Sequence, residues 1–577
     1  MPKRLSPLAR NLASKSLSTL THHLSLWHQV VRDHTVLDRA RNRIVVGVMA
    51  FAMAYLFIAL RLCDVMVFRS QGERQRMNDK RSAELVLERA DIVDRQGEIL
   101  ATHLVTASVY ANPKVIINAR EAAEKLCALV PELDFEMTLN RLTSEKGFVW
   151  IMRHIPPKLQ QAVNHLGIPG IYLQKDQRRV YPHGPMACHV LGYCGLDNVG
   201  LSGIEKYFDL KLRQDKAPLV LSIDIRAQHI VHDELKSAID EFQALAGNAM
   251  LMDLASGELL AMVSLPDFDP NQPSQNVKES IFNRNTLGVY EPGSTFKIFN
   301  TAIALETNRI KLTTVYDARH PIKVGRFTIT DWRPKHSGIL TVQDTVMHSS
   351  NIASAKIALD FGLDWQRKYF IRFGLHTKPK LEIPEIAAPL VNKHPTEATL
   401  ISNSYGYGIS VSPLQTFQAV AALINNGEFR HLTLLRQKMP VVGEPIVSKQ
   451  TAASIRKVMR MVVVGGSGKS AEVEGYPVIG KTGSAHIVRG RRYHANDKTT
   501  SFLAAFPADK PKYLLLVMLD SPKPTHKTHG FSTGGWNACP TAGKMVARLA
   551  PMLGLAPNFD YKGSMDSDVR MVNHVAD

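Results

Sequence analysis

With 577 residues, the chain is longer than one ordinary domain, and length alone predicts three to four folded units around a large core. A composition of 45% apolar and 21% charged residues is globular and excludes an intrinsically disordered chain. The net charge of +18 raises a nucleic-acid role, but the basic residues are scattered, without an aromatic-interleaved stripe or a zinc-finger, helix-turn-helix or RNA-binding signature. A basic surface facing anionic polymer or lipid fits this pattern better, and no nucleic-acid partner is expected.

Residues 1–43 form a basic segment in which leucines and Trp27 recur at loosely helical spacing; a surface-lying helix and a tail both fit it. Ile44 to Leu60 then runs seventeen residues without a charge between Arg39, Arg41, Arg43 and Arg61. With the arginines snorkelling at both edges, 44–62 is predicted to be a transmembrane anchor. It does not read as a cleaved signal. Forty-three residues are too many for an n-region, its one Ala-x-Ala (Ala52-Met53-Ala54) lies mid-run, and Leu62 before Cys63 is too large for lipoprotein processing. Eight Lys/Arg precede the span, so the positive-inside rule predicts a single-pass protein of the bacterial inner membrane. Its N-terminus would be cytoplasmic and its remaining chain periplasmic.

Residues 63–215 have a mixed texture and no nucleophile–base arrangement, and are predicted to be a pedestal. Within them, Arg89 to Ala101 predicts a strand, a turn at Gln96-Gly97 and a second strand. Arg179-Val180-Tyr181-Pro182-His183-Gly184 and Gly200-Leu201-Ser202-Gly203-Ile204-Glu205 are further turn-rich segments. Over 219–556 the pattern becomes strands and helices: an amphipathic helix from Ile223 to Glu241, apolar strands at 247–254 and 259–263, an alanine-rich helix after Val411, and strands at 501–506 and 513–519. The expected class is α+β, an antiparallel sheet with helices packed on it. Residues 557–577 read as a polar tail. Five irregularly spaced cysteines make no disulfide framework; Cys188 and Cys194 can be read as a pair or as buried free thiols. The isolated His526-Lys527-Thr528-His529 reads as a loop, and no metal site is predicted.

The chemistry is carried by one turn. In Tyr290-Glu291-Pro292-Gly293-Ser294-Thr295-Phe296-Lys297 the Pro-Gly pair bars helix before Ser294, and apolar residues at helical spacing follow it. Lys297 therefore shares the face of Ser294 one turn along. A desolvated lysine near another cation can be neutral enough to take a serine proton. Ser454-Ile455-Arg456-Lys457 has the same form and is expected to be an ordinary amphipathic helix. Ser294 differs from it in being followed, in order, by Ser349-Ser350-Asn351 and Lys481-Thr482-Gly483. A second S-x-N at Ser274-Gln275-Asn276 precedes the nucleophile and is discounted.

S-x-x-K, S-x-N and K-T-G in this order resemble the signature of penicillin-interacting serine enzymes. With the segments at Arg89, Arg179 and Gly200, and with Tyr407-Gly408, the chain resembles a class B penicillin-binding protein, most similar to the division-specific FtsI type. The pedestal would then be a dimerisation-type domain and residues 219–556 a serine β-lactamase-like transpeptidase domain. The resemblance implies a peptidoglycan D,D-transpeptidase acting in septal cell-wall synthesis, without metal or cofactor. Ser294 would attack a D-Ala–D-Ala stem peptide and Lys297 accept its proton. Ser349 would relay a proton to the departing amine, Asn351 orient Lys297 and the substrate amide, and Lys481 supply positive charge. Thr482, Gly483 and Ser484 would line the carboxylate site, and the backbone N–H groups of Ser294 and Ser484 would form the oxyanion hole. Implied partners are an amine acceptor from a second stem peptide, β-lactams as covalent inhibitors, and a membrane-embedded polymerase of the shape–elongation–division–sporulation (SEDS) type with other divisome proteins. Three departures stand out: Ala90 where glycine is usual, Ser484 where threonine is usual, and Thr533-Gly534-Gly535 where Tyr-Gly-Gly is usual. A β-lactamase would need a water-activating glutamate in an E-x-x-L-N loop, and 349–481 contains none. An elongation-specific transpeptidase and a β-lactam sensor or scaffold are the alternatives.

Overall fold

The computed structural model describes residues 36–63 and 89–561, apart from 276, 326, 332–337, 440 and 490–491. The expectations for 1–35, for Asn276 and for the end of the tail lie outside the described residues. Two compact units divide the chain, one before and one after Leu87/Glu88. The first contains helix α1 (Val36–Cys63). Its stretch Arg43–Leu62 is 20 residues long, apolar and exposed. At 1.5 Å per residue it matches a hydrocarbon core about 30 Å thick. The helix begins before the predicted anchor, where Leu37, Arg39, Ala40 and Arg41 are good helix formers and no Gly or Pro interrupts residues 36–42.

The second unit opens with a five-stranded mixed sheet of β1 (Ile92–Val93), β2 (Ile99–Ala111), β3 (Val149–Ile155), β4 (Ile171–Val180) and β5 (Leu219–Val220). Helices α2 (Ala119–Leu129), α3 (Phe135–Leu142) and α4 (Pro157–His165) accompany it. The three pedestal segments singled out in the sequence converge on one carboxylate. Glu205, fully buried, accepts from Arg89 Nε at 2.6 Å and from Arg179 Nε at 2.6 Å, and Tyr181 Oη lies 3.3 Å away. The glycines beside it are required by close approach: a Cβ on Gly200 would stand 2.0 Å from Glu205 O. Ala90 has no positive φ, so that turn needs no glycine, and the departure there is conformationally neutral. Cys188 and Cys194 are free and buried, and burial pushes the Cys194 thiol up to about 12.

The rest of the unit is built on the sheet β8 (Ile479–Arg489), β9 (Arg492–Phe506), β10 (Tyr513–Asp520), β6 (Ala246–Asp253) and β7 (Leu259–Leu265), in that spatial order and antiparallel throughout. Strands β6, β7 and β10 and the second half of β9 are buried on both faces, which is why they read as nearly unbroken apolar runs. Met250, Met252, Leu514, Leu516 and Leu503 belong to one core; Leu251, Leu515, Val517, Phe502 and Ala504 belong to the other. The second core is closed by α5 (Ile225–Phe242) and α12 (Ala538–Met552). The first core is closed by α6 (Lys297–Glu306), α10 (Pro413–Ile424) and α11 (Lys449–Val464), with α7 (Asn351–Phe361), α8 (Leu363–Arg372) and α9 (Glu397–Ser404) around them. Phe296 and Phe299, both 0% exposed, hold α6 in place. Burying each ring contributes about 1.5–3 kcal/mol. Strand β9 begins earlier than its apolar run, because its polar first half pairs with β8 as a two-stranded ribbon that needs no apolar face.

Asp94 ties the pedestal to this layer. Its Oδ1 accepts from the N–H groups of Gln96 at 2.7 Å and Glu98 at 2.9 Å, closing the turn between β1 and β2. Its Oδ2 accepts from Ile225 N–H at 3.2 Å, at the start of α5.

Candidate active site

Gly293–Phe296 is a single 3-10 turn that leads directly into α6. Ser294 thus sits in a tighter turn than the predicted α-helical one. The cause is Gly293, at φ 57°, whose Cβ would stand 2.6 Å from Ser484 O: the backbone there is pressed against β8. Gly483 is required for the same reason, since a Cβ would meet Ser501 Oγ at 2.2 Å and Thr295 Cγ2 at 2.9 Å.

Lys297 Nζ lies 2.8 Å from Ser294 Oγ, 2.7 Å from Asn351 Oδ1 and 3.2 Å from Ser349 Oγ. The Asn351 amide is oriented without ambiguity: its Nδ2 donates to Thr330 O at 3.1 Å, so the acceptor end must face Lys297. Lys297 is fully buried. Burial first, then the charge of Lys481, hold its pKa well below the ordinary lysine value, and Asp331 only partly opposes them. A neutral amine has two protons and one lone pair. The protons suit Asn351 Oδ1 and Ser349 Oγ, which leaves the lone pair for the Ser294 hydroxyl.

Ser349 precedes α7 in the left-handed region, φ 63°, a conformation that costs a non-glycine residue about 1–3 kcal/mol. It is held there from both sides. Ser350 caps α7, its side chain accepting from Ala353 N–H. Asp331 accepts from Ser350 Oγ at 2.6 Å, Asn351 N–H at 2.6 Å and Ile352 N–H at 3.1 Å. Lys481, on β8, is also fully buried, with Nζ 3.4 Å from Ser349 Oγ and 3.0 Å from Thr482 O. Burial brings its pKa down to about 7. Thr482 Oγ1 is 2.7 Å from Ser467 Oγ, and Ser484 Oγ accepts from Gly534 N–H at 3.0 Å.

Ser294, Ser349, Asn351, Thr482 and Ser484 line one cavity of about 510 Å³, together with Asp331, Tyr407, Ser467 and Thr533. Lys297 and Lys481 lie buried within bonding distance of its serines. The structure thus brings together Ser294, Lys297, Ser349, Asn351, Lys481, Thr482 and Ser484, with Gly483 at the close approach. Ser454, by contrast, lies half-buried on the amphipathic helix α11, and Lys457 is exposed. Asp331 and Ser467 were not singled out in the sequence; an aspartate twenty residues before the asparagine it supports has no local spacing signal.

Two family descriptions match the chain: the penicillin binding protein transpeptidase domain over residues 247–535, and the penicillin-binding protein dimerisation domain over 85–229. The Caulobacter vibrioides relative that carries the name FtsI is 36% identical over 483 residues, 81% of this chain and 82% of that protein. This chain belongs to the class B penicillin-binding proteins. The peptidoglycan D,D-transpeptidase FtsI of Escherichia coli is 27% identical and covers 91% of this class B chain, of which 94% of the relative is matched. In fold, the penicillin-binding protein is similar to a solved peptidoglycan synthetase of Bifidobacterium adolescentis. The TM-score is 0.64 at 17% identity, over 82% of this chain and 96% of that one.

Proposed function

We propose that the chain is a division-type peptidoglycan D,D-transpeptidase working through an acyl-enzyme at Ser294. The observation that carries this reading is a fully buried Lys297 amine 2.8 Å from Ser294 Oγ, its pKa held well below the ordinary lysine value by burial. Ser294 Oγ adds to the carbonyl of the penultimate D-alanine as its proton passes to Lys297. The tetrahedral oxyanion is received by the backbone N–H groups of Ser294 and Ser484, a contribution of roughly 3–4 kcal/mol per donor in such sites. Collapse breaks the C–N bond, and Ser349, between Lys297 and Lys481, delivers a proton to the departing D-alanine amine. An amine of a second stem peptide then attacks the ester carbonyl, restoring Ser294 and leaving the cross-link. Lys481, Thr482 and Ser484 hold the terminal carboxylate, and Asn351 holds Lys297 and the substrate amide.

The same geometry favours transfer over hydrolysis. Among the described residues lining the cavity the one carboxylate is Asp331, and it is bonded to Ser350 Oγ and the first N–H groups of α7. The adduct with a penicillin should therefore persist for many minutes in intact-mass spectra; steady turnover of the penicillin would instead reveal a working water base. Ser294→Ala should remove the adduct and Ser454→Ala leave it; an adduct surviving Ser294→Ala would overturn the assignment.

The apolar length of α1 supports membrane anchoring, and the basic excess before it supports a cytoplasmic N-terminus with the catalytic unit in the periplasm. A periplasm-dependent reporter fused after Asp577 should be active. The partners that suit this reading are a SEDS-type glycan polymerase and other divisome proteins. Exposed Tyr207 and Leu210 on the pedestal offer it an apolar surface.

A further inference from the structure

A second cavity, of about 240 Å³, lies between α8, residues 391–399 and residues 403–409, and shares no lining residue with the catalytic cavity. Leu363, Phe370 and Ile409 give it apolar walls, and Arg367 and Lys393 are exposed cations on its lining. Among the described residues that line it, none is acidic. His376, also on the lining, has its pKa lowered, first by burial and then by Arg367.

Its wall contains an unspent acceptor whose identity is fixed by a chain of amides. Leu400 O can only accept, so Gln366 turns Nε2 toward it at 3.0 Å, and Gln366 Oε1 accepts from Asn403 Nδ2 at 3.1 Å. Asn403 Oδ1 is therefore an oxygen in a side chain 7% exposed, and it receives no donor from the described residues. A Cβ built on Gly408, another lining residue, would stand 3.6 Å from this oxygen. A buried acceptor without a donor is costly and rare in native structures.

The strip that carries this oxygen also abuts the nucleophile. Gly408 N–H donates to Glu291 Oε1 at 2.8 Å, three residues before Ser294. Gly406 accepts from Gly293 N–H at 3.0 Å, and a Cβ on Gly406 would stand 2.0 Å from Gly293 O. Tyr407, between these two glycines, lines the catalytic cavity.

We propose that this cavity binds a small molecule bearing one carboxylate and one N–H or O–H donor, an N-acylated amino acid, and that its occupancy is passed through residues 403–408 to the turn of Ser294. The carboxylate is matched by Arg367 and Lys393, the donor by Asn403 Oδ1, and the carbon skeleton by Phe370 and Leu363. A stem-peptide terminus has this chemistry, so the inference goes beyond the proposed function to a regulatory site for the same class of compound.

The test uses full-length protein in detergent with Ser294 first occupied by penicillin, so that the catalytic cavity is closed to the probe. Failure to form that adduct would count against Ser294 as nucleophile, separately from the present proposal. N-acetyl-D-alanine is then titrated by calorimetry beside its uncharged amide. Replacing Asn403 would also break its bond to Gln366, so the variant is the exposed double reversal Arg367→Glu/Lys393→Glu. The acid should bind saturably with a Kd of millimolar order, the amide should not, and the double variant should bind at least about tenfold more weakly. On the unacylated protein the acid should change the rate of fluorescent-penicillin acylation about twofold or more, and the double variant should lose that response; simple competition at Ser294 would leave it intact. Absence of saturable binding, equal binding by the amide or the variant, or an acylation response that survives the charge reversal would overturn the proposal.

Discussion

The pedestal and the catalytic layer both bury charged side chains, and they treat them in opposite ways. Around Glu205 two guanidiniums are matched by a carboxylate at 2.6 Å each, with Asp209 taking a further Arg89 donor at 2.8 Å. Burial alone lowers the Arg89 pKa, yet these carboxylates leave it raised overall. Around Ser294 two lysines are buried with hydroxyls, an amide oxygen and a carbonyl as their nearest recorded partners. There burial lowers the pKa of both amines, that of Lys481 to about 7. The paired charges serve to hold the fold; the depressed amine of Lys297 is suited to act as a base.

Lys297→Ala breaks the catalytic side of this contrast most severely. Without the base, Ser294 keeps its proton, and acylation by a fluorescent penicillin should fall by about 10²–10⁴, read from the labelling rate. Glu205→Ala tests the other side: it strands two buried guanidiniums and should destabilise the protein by about 3–5 kcal/mol in urea unfolding. Lys297→Met, which also deletes a buried ionisable group, should leave stability unchanged or higher. Equal destabilisation by the two changes would erase the distinction.

A pH series sharpens it further. Lys481 titrates near 10.5 when free and at about 7 when buried. Between those values the unfolded chain binds more protons, so stability from this group rises with pH across that window and is lost as pH falls toward 7. Lys297 is shifted in the same direction. The urea midpoint should therefore be higher at pH 9 than at pH 7, and Lys481→Met should flatten the difference. Acylation should slow as acid protonates Lys297. The smallest effect is that of Asp331→Asn, which keeps the shape of the α7 cap but removes its charge. About tenfold slower labelling is expected from weaker charge-assisted bonds, with the fold retained in circular dichroism.

The order of Ser294, Ser349 and Lys481 made the site legible because each motif is local: a hydroxyl and an amine one turn apart, a serine before a cap, a lysine entering a strand. The strands β6 and β7 were legible as apolar runs on either side of a turn, since burial on both faces leaves no polar alternation in them. Asp331 was not legible, since its partners are twenty residues away and only the fold brings them together. Nor was the meaning of the Arg89, Arg179 and Gly200 segments. Each read as a turn-rich stretch, and their shared purpose appears only when Glu205 lies between the two guanidiniums. The 3-10 turn at Ser294 likewise depends on Ser484 pressing on Gly293, a contact between residues nearly two hundred positions apart.

Asp94 has a consequence for how this protein can be divided. One oxygen closes a pedestal turn while the other starts helix α5. Strand β1 is completed by the parallel strand β5, just ahead of that helix. Cutting the chain between them would therefore split a shared structural part instead of releasing two finished modules. The catalytic layer would lose the partner of its first helical N–H, and the pedestal would lose the outer strand of its sheet. At the bench, the pedestal and the catalytic layer therefore have to be moved together.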